Sequence, residues 1–415
     1  MKRNLRKDAG QIAREAIRAC LPDEAVERAL EGRSFPGKVV LIAIGKAAWR
    51  MADAAWRVLG PDGIERGAVL TKYGHVAGPI GNLELYEAGH PVVDEGSVAG
   101  TERVLELVRG LEPEDTVLFL VSGGGSALFE KPLIPLEELA EVNRQLLACG
   151  ASIGEVNAVR KRLSAVKGGK FAELCRPARV FAVMLSDVVG DRLDVIASGP
   201  ACPDSSTAAE AVAVAERYGL KLSERVWELL RAETPKVLTN VETRITGSVS
   251  ELCRAAADQA AALGYRPVIL TDSLSCQAKE AGAFLGACAR YQRGAASEPV
   301  ALIAGGETVV ELTGKGLGGR NQELALAAAA ELDGLSGVAV VSVGSDGTDG
   351  PTDAAGGIVD GATAAVLREK GIAIPAVLRD NDAYHALAAC DGLVMTGPTG
   401  TNVNDVAAAL IWVEK

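Results

Sequence analysis

The feature that most limits what this chain can become is a recurring unit: a short run rich in Val, Ile and Leu, then a glycine-bearing turn, then a helical pattern. Runs this apolar, without polar alternation, must be buried on both faces, which a parallel sheet covered by helices on each side provides. The fold class is therefore α/β. Val39 to Ile44, Gly67 to Thr71, Leu83 to Glu87, Thr116 to Val121 and Val180 to Leu185 are predicted strands of a first unit, preceded by one helix from about Gln11 to Leu30. The helical pattern of 207 to 232 stops at Arg231 to Pro235, and a fresh series opens with Arg244 to Thr246 and continues through Val268 to Leu270, Val300 to Ala304 and Val338 to Val343. A chain of 415 residues exceeds what one core usually supports. Two domains with largely parallel sheets, 1–235 and 236–415, are expected.

A net charge of −11 argues against nucleic acid or an anionic membrane as partner, since phosphate surfaces demand clustered Lys and Arg. No apolar run approaches the roughly twenty residues that span a bilayer. A cytoplasmic enzyme, monomer or homodimer, is the expectation. Eight cysteines without a C-x-x-C pair read as reduced core residues, and three histidines, His75, His90 and His385, are too few for a multi-histidine metal site.

The barest backbone lies between Gly305 and Glu323. Gly305, Gly306 and Glu307 precede a short apolar run, then Gly314, Gly316, Gly318 and Gly319 lead to Arg320, Asn321 and an alanine-rich helix. Glycine amides converging at a helix start suit phosphate. Gly314, Gly316 and Gly319 also satisfy the dinucleotide spacing G-x-G-x-x-G, but with 47 glycines such spacings arise by chance, and the next strand carries no acid at its tip. A glycine-rich surface turn is the plain alternative. Lys46 closes the strand Val39 to Ile44, at the carboxyl end of a parallel sheet where ligands bind. Gly32 to Lys38 has Walker A spacing, yet Val39 replaces the Ser or Thr and a strand follows, so it is rejected.

Ser122, Gly123, Gly124, Gly125 and Ser126 follow an apolar strand and form a candidate anion nest. Asn157, Arg160, Lys161, Ser164 and Lys167 can share a helix face before Gly168, Gly169 and Lys170, a candidate site for one small anion, or a solvated basic helix end. Asp187, Asp191, Ser198 and Gly199 follow another buried strand, where an acid can hold Mg²⁺, accept a hydroxyl proton, or simply cap a helix. Asp346, Asp349 and Asp353 crowd one loop, as a Mg²⁺ site or as solvated turn residues. Thr399 and Asn402 belong to a loop dense in small donors, Thr396 to Asp405, fit to wrap phosphate or cap a helix.

Taken together and in order, Ser122 to Leu128, Asn157 to Lys170, Ser186 to Pro200, Gly305 to Glu323, Gly344 to Ala355 and Thr396 to Asp405 resemble the type II glycerate kinase family, and the last part resembles the MOFRL domain. The resemblance spans nearly the whole chain and departs at Ser275 to Ala278, where a Gly-Glu-Ala sequence is expected. It implies two Rossmann-like domains with an active-site cleft between them. It also implies transfer of the γ-phosphoryl group of ATP, with Mg²⁺, to D-glycerate, giving 2-phosphoglycerate. Lys46 and Arg320 become catalytic cations and Asp187 the acceptor of the hydroxyl proton or a Mg²⁺ ligand. Ser122 to Ser126, Asn157, Arg160, Lys167, Ser198, Gly199, Glu307, Gly316, Gly319, Asn321, Thr399 and Asn402 become phosphate or substrate contacts. Asp346 and Asp349 join Asp187 as candidate Mg²⁺ ligands. Two rivals are an NAD(P)H-dependent hydroxypyruvate reductase, since some members carry that label, and a non-catalytic sugar-phosphate sensor, for which no output element is visible.

Overall fold

The computed structural model describes residues 3–188, 190 and 192–413. They form two compact units: Pro22–Thr246, and the residues up to Leu21 together with those from Gly247 onward. The first holds a six-stranded sheet of β1 (Val39–Ile44), β2 (Arg66–Lys72), β3 (Glu84–Ala88), β4 (Thr116–Val121), β5 (Arg179–Leu185) and β6 (Val241–Gly247), in the order β3-β2-β1-β4-β5-β6. β1 to β5 pair in parallel throughout. Both faces are covered, as the unbroken apolar runs require. Val40, Ile42 and Ile44 enter one core, and Leu41 and Ala43 enter the other. Strand order reverses between β1 and β4, so their carboxyl ends open the crevice where doubly wound sheets take ligands.

The other unit holds β7 (Arg266–Leu274), β8 (Val300–Gly306), β9 (Val338–Gly344), β10 (Gly356–Asp360), β11 (Leu393–Val394) and β12 (Asp405–Ile411), in the order β11-β10-β9-β12-β8-β7. Here the expectation of parallel strands needs refinement. Four strands point one way, and β7 pairs with β8 in parallel, but β10 and β12 run against them. Because β12 lies between β8 and β9, each of those neighbours makes its ladder with a reversed strand.

The domain boundary differs from the sequence expectation. Arg244 to Thr246, expected to open the second domain, lies in edge strand β6 of the first sheet, so the switch falls at 246/247, not at 235. The expected helix from Gln11 to Leu30 is two helices, Leu5–Ala19 and Pro22–Leu30, that belong to different units. Pro22 has no N–H to continue the first helix and suits the opening turn of the second. Ile12, Ala13 and Ala16 of the earlier helix pack with Val249, Leu252 and Ala256 of Val249–Ala262.

The alanine-rich helix Arg320–Leu332 is anchored at its start by Asp349, whose two carboxylate oxygens accept the amides of Asn321 (3.1 Å) and Gln322 (2.8 Å). Burial pushes the Asp349 carboxyl up from 3.8 to about 6, against those two donors and helped by the neighbouring Asp405 charge. Between these values the folded chain keeps a proton that the unfolded chain has released, so unfolding is favoured as pH rises. Stability relative to an Asp349→Asn variant is therefore expected to be greatest below about 4 and to decline as pH rises through about 6. Denaturant midpoints of both proteins from pH 4 to 7 check this, and a constant difference contradicts it.

Candidate active site

Five parallel strands deliver five loops to one edge of the first sheet, and two of them interlock. The Lys46 amide donates to Gly123 O at 2.9 Å, the Ala47 amide to Ser122 Oγ at 3.0 Å, and the Ser122 amide to Ile44 O at 3.0 Å. Gly45 makes this approach possible: at φ 111°, a Cβ there would lie 2.3 Å from Ser122 Oγ. Ser122 is buried and committed to this tie, so its expected role as a ligand contact becomes one of holding the turn. Gly124 occupies the left-handed region at φ 86°. The amides of Gly123 and Gly124 have no acceptor among the described residues. The side chain of Lys46 is exposed and, among the described residues, in no ion pair.

Asp187, just past β5, reaches the same turn, for a Cβ on Gly123 would stand 2.5 Å from its Oδ2. Asp191 lies outside the described residues. On the other side Ser126 Oγ and Ser198 Oγ share a hydrogen bond of 2.8 Å, and Ser198 Oγ donates to Asn157 Oδ1 at 3.1 Å. Ala197 and Ser198 hold φ of 50° and 62°, and Gly199 follows at 66°. Left-handed backbone at non-glycine residues costs about 1–3 kcal/mol each and gathers at functional sites. This turn is fixed from below by the amides of Gly168 and Gly169, which donate to Ser198 O (3.0 Å) and Gly199 O (2.7 Å). Lys46, the glycine turn, Asp187, Ser126, Ser198 and Asn157 are thus brought together.

The basic stretch divides. Lys167 is fully buried and pairs with Glu130 (2.5 Å), burial pulling its ammonium down to about 8. It cannot meet a ligand, so the expected contact is corrected to an internal ion pair. Lys161 is likewise buried on Asp204 (2.9 Å), Arg162 donates to the Ala158 and Ser206 carbonyls, and Lys170 Nζ donates to Ser164 O at 2.6 Å. Arg160 differs. It sits one turn after Asn157 on the helix Ile153–Arg160, its side chain makes no hydrogen bond or ion pair among the described residues, and burial pulls its pKa down against the charge of Glu130.

In the second unit the glycine-rich loop is not an open cradle. The amides of Thr313 and Gly314 donate to Asn381 Oδ1, Lys315 to Asp380 Oδ1, Gly316 to Asp380 O and Leu317 to Asp382 Oδ1. A Cβ on Gly316 would strike Asp382, and one on Gly319 would strike Asp349. These glycines serve close packing, and the helix start they lead into is already capped by a carboxylate, so their expected phosphate contact is corrected. Asn321 is buried, accepting from Ser342 Oγ at 2.6 Å, and is corrected in the same way. Arg320 is ion-paired with Asp405 (2.5 Å) and with Glu307 (3.0 Å), and these carboxylates raise its pKa against the effect of burial. Glu307 also accepts from Asn404 Nδ2 at 3.2 Å. Arg320 and Glu307 line a cavity of about 700 Å³ together with Val309, Leu312 and Pro351.

The expected Mg²⁺ site at Asp346 and Asp349 does not form: Asp349 caps the helix, Asp346 Oδ1 accepts the Thr348 amide, and the described residues contain no group of three or more His, Cys, Asp or Glu able to hold a metal. Thr399 Oγ1 donates to Ser345 O (2.6 Å) and Asn402 Oδ1 accepts the Asn404 amide, so both brace their own loop.

Three residues escaped the sequence reading. Lys72 ends β2, His75 follows it, and His90 follows β3. His75 Nδ1 lies 3.0 Å from Lys46 O, and a Cβ on Gly124 would stand 3.0 Å from His90 Cδ2. The strand-end rule that singled out Lys46 applies equally to them.

Two family models match the chain: one described as a domain of unknown function (DUF4147) over residues 8–231, and the MOFRL family over residues 300–405. A D-glycerate 2-kinase of Thermotoga maritima is 53% identical over 98% of this chain and 99% of its own length. A glycerate 2-kinase of Pyrococcus horikoshii is 42% identical over 98% of each chain. The crystal structure of a glycerate kinase from Thermotoga maritima superposes with a TM-score of 0.93 at 53% identity, covering 98% of this chain and 99% of that one. The chain belongs to the glycerate kinase family with a C-terminal MOFRL domain.

Proposed function

We propose that this protein transfers the γ-phosphoryl group of ATP to the 2-hydroxyl of D-glycerate. The observation that carries this reading is the convergence of exposed Lys46, the amides of Gly123 and Gly124, and the Asp187 carboxylate at the switch point of a parallel sheet. Its full-length relatives named for glycerate phosphorylation support it. Phosphoryl transfer asks the protein for alignment and charge stabilisation more than for covalent chemistry. Lys46 and the two glycine amides would bind phosphoryl oxygens, fixed in place by the backbone tie between their loops. Arg160, a cation with no carboxylate bonded to it among the described residues, would take the carboxylate of glycerate. Ser126, Ser198 and Asn157 would orient its hydroxyls.

A carboxylate placed against a phosphate-binding turn fits an ion that draws its other ligands from nucleotide phosphate and water, as magnesium commonly does. Asp187 would hold Mg²⁺ in that way, the ion supplying charge neutralisation when bound. In the second unit, Arg320 is taken as a candidate catalytic cation, its guanidinium oriented by Asp405 and Glu307. A dinucleotide-dependent reductase finds less support, because the Gly314 to Gly319 loop has its amides committed to residues 380–382.

Purified protein with D-glycerate, ATP and Mg²⁺ is expected to form 2-phosphoglycerate, resolved from the 3-isomer, and to leave NADH unoxidised in the presence of hydroxypyruvate. NADH oxidation without phosphorylation would reverse the reading. Lys46→Met is expected to lower kcat by about 10²–10³, the cost of losing one transition-state donor, with thermal stability unchanged because the side chain is exposed. Arg320→Ala is expected to lower kcat by about 10³, and near-normal turnover would remove its catalytic role.

A further inference from the structure

Of the three histidines, His75 is engaged with Lys46 O and His385 with Asp382. His90 is the third. It is half-buried, and among the described residues neither of its ring nitrogens has a hydrogen-bond partner. Its imidazole lies over the left-handed glycine of the anion-binding turn. A methyl group built on Gly124 would stand 3.0 Å from His90 Cδ2, 3.2 Å from His90 Nε2 and 3.2 Å from Lys46 Cγ. One ring edge and the stem of the exposed lysine therefore flank the same point of the turn.

We propose that His90 is the group that receives the proton of the substrate hydroxyl during phosphoryl transfer, a role that rests on the kinase reading above. The hydroxyl oxygen forms its bond to the γ-phosphorus as the bond from that phosphorus to the β,γ-bridging oxygen breaks. ADP leaves with that electron pair. The hydroxyl proton passes to His90 Nε2, and the imidazolium returns it to solvent after product release.

The surroundings suit an acceptor. Burial first, then the positive charges of Lys46, Lys72 and His75, hold the His90 imidazole below its ordinary range and so keep it neutral near pH 7. Lys46 comes from the loop after β1, Lys72 from the end of β2 and His75 from the loop that follows it. Asp187, after β5, stands at the adjacent Gly123. A cationic ring of this kind also stabilises the anionic phosphoryl group once the proton has moved. His75, bonded to the Lys46 carbonyl, is a positioning residue in this arrangement and not a second acceptor.

The test is the pH dependence of kcat/KM for ATP-driven glycerate phosphorylation by wild type, His90→Gln and His90→Ala. Wild type is expected to show an acid limb with an apparent pKa below 6.5. His90→Gln is expected to lose that limb and to fall by about 10²–10⁴ in rate, the usual range for a general base, while nucleotide affinity by calorimetry stays within threefold of wild type, roughly 0.6 kcal/mol. Added imidazole is expected to restore part of the His90→Ala rate. A His90→Gln enzyme within threefold of wild type at every pH would overturn the role and leave the kinase reading intact. A wild-type profile with no acid limb at any pH where the protein stays folded would do so without reliance on any variant. Absence of phosphorylation by the wild type would remove both.

Discussion

The candidate site depends on a backbone tie that involves no ligand at all. By linking Lys46 to Gly123 and Ala47 to Ser122, the chain joins the loops after β1 and β4 at the point where strand order reverses. Because β1 and β4 are register-paired along their whole length and buried on both faces, the tie rests on the buried centre of the sheet. Lys46, the glycine turn and the residues packed on it share one reference frame as a result. Displacing it would move all of them together.

Beneath this edge lies an unusual amount of buried charge. Lys161, Arg162, Lys167 and Lys170 all find internal partners, in Asp204, Glu130 or backbone carbonyls. Charge burial of this kind adds little net stability compared with well-packed apolar residues, but losing one partner is costly, about 3–5 kcal/mol. The arrangement is better understood through what it positions. Gly168 and Gly169, between Lys167 and Lys170, hold the left-handed turn at Ala197 to Gly199, so the paired cations act as footings for strained backbone. Arg160 by contrast makes no side-chain hydrogen bond or ion pair among the described residues.

Much of the first unit could be read from sequence because its signals are local. Apolar runs gave the strands, and the rule that ligands gather at their carboxyl ends found Lys46, the Ser122 to Ser126 turn and Asp187. What failed was partner assignment. Nothing in the sequence near Lys167 announces Glu130, 37 residues away, and nothing near Gly314 announces Asn381, 67 residues away. A glycine that frees an amide for phosphate and a glycine that admits a neighbouring backbone look the same in one dimension. The reversed direction of β12 was equally hidden, since a strand buried on both faces carries the same apolar pattern whichever way it runs. The helix break at Pro22 is visible in sequence, but helical periodicity continues on both sides of it and masks the break.

The position of β12 bears on how the polypeptide acquires its shape during synthesis. Residues 22–246 contain every strand of their own sheet and can bury a core as soon as they emerge from the ribosome. The other unit cannot follow the same schedule. Its helix Leu5–Ala19 is made before residues 22–246, yet the central strand of its sheet, Asp405–Ile411, is made last of all the elements described here. Until then β8 and β9 face a gap where their common neighbour belongs, and the early helix has no finished surface to cover. Contacts of such long sequence separation close slowly, so this half of the nascent chain exposes unpaired strand edges for most of its translation and is the half for which chaperone protection matters.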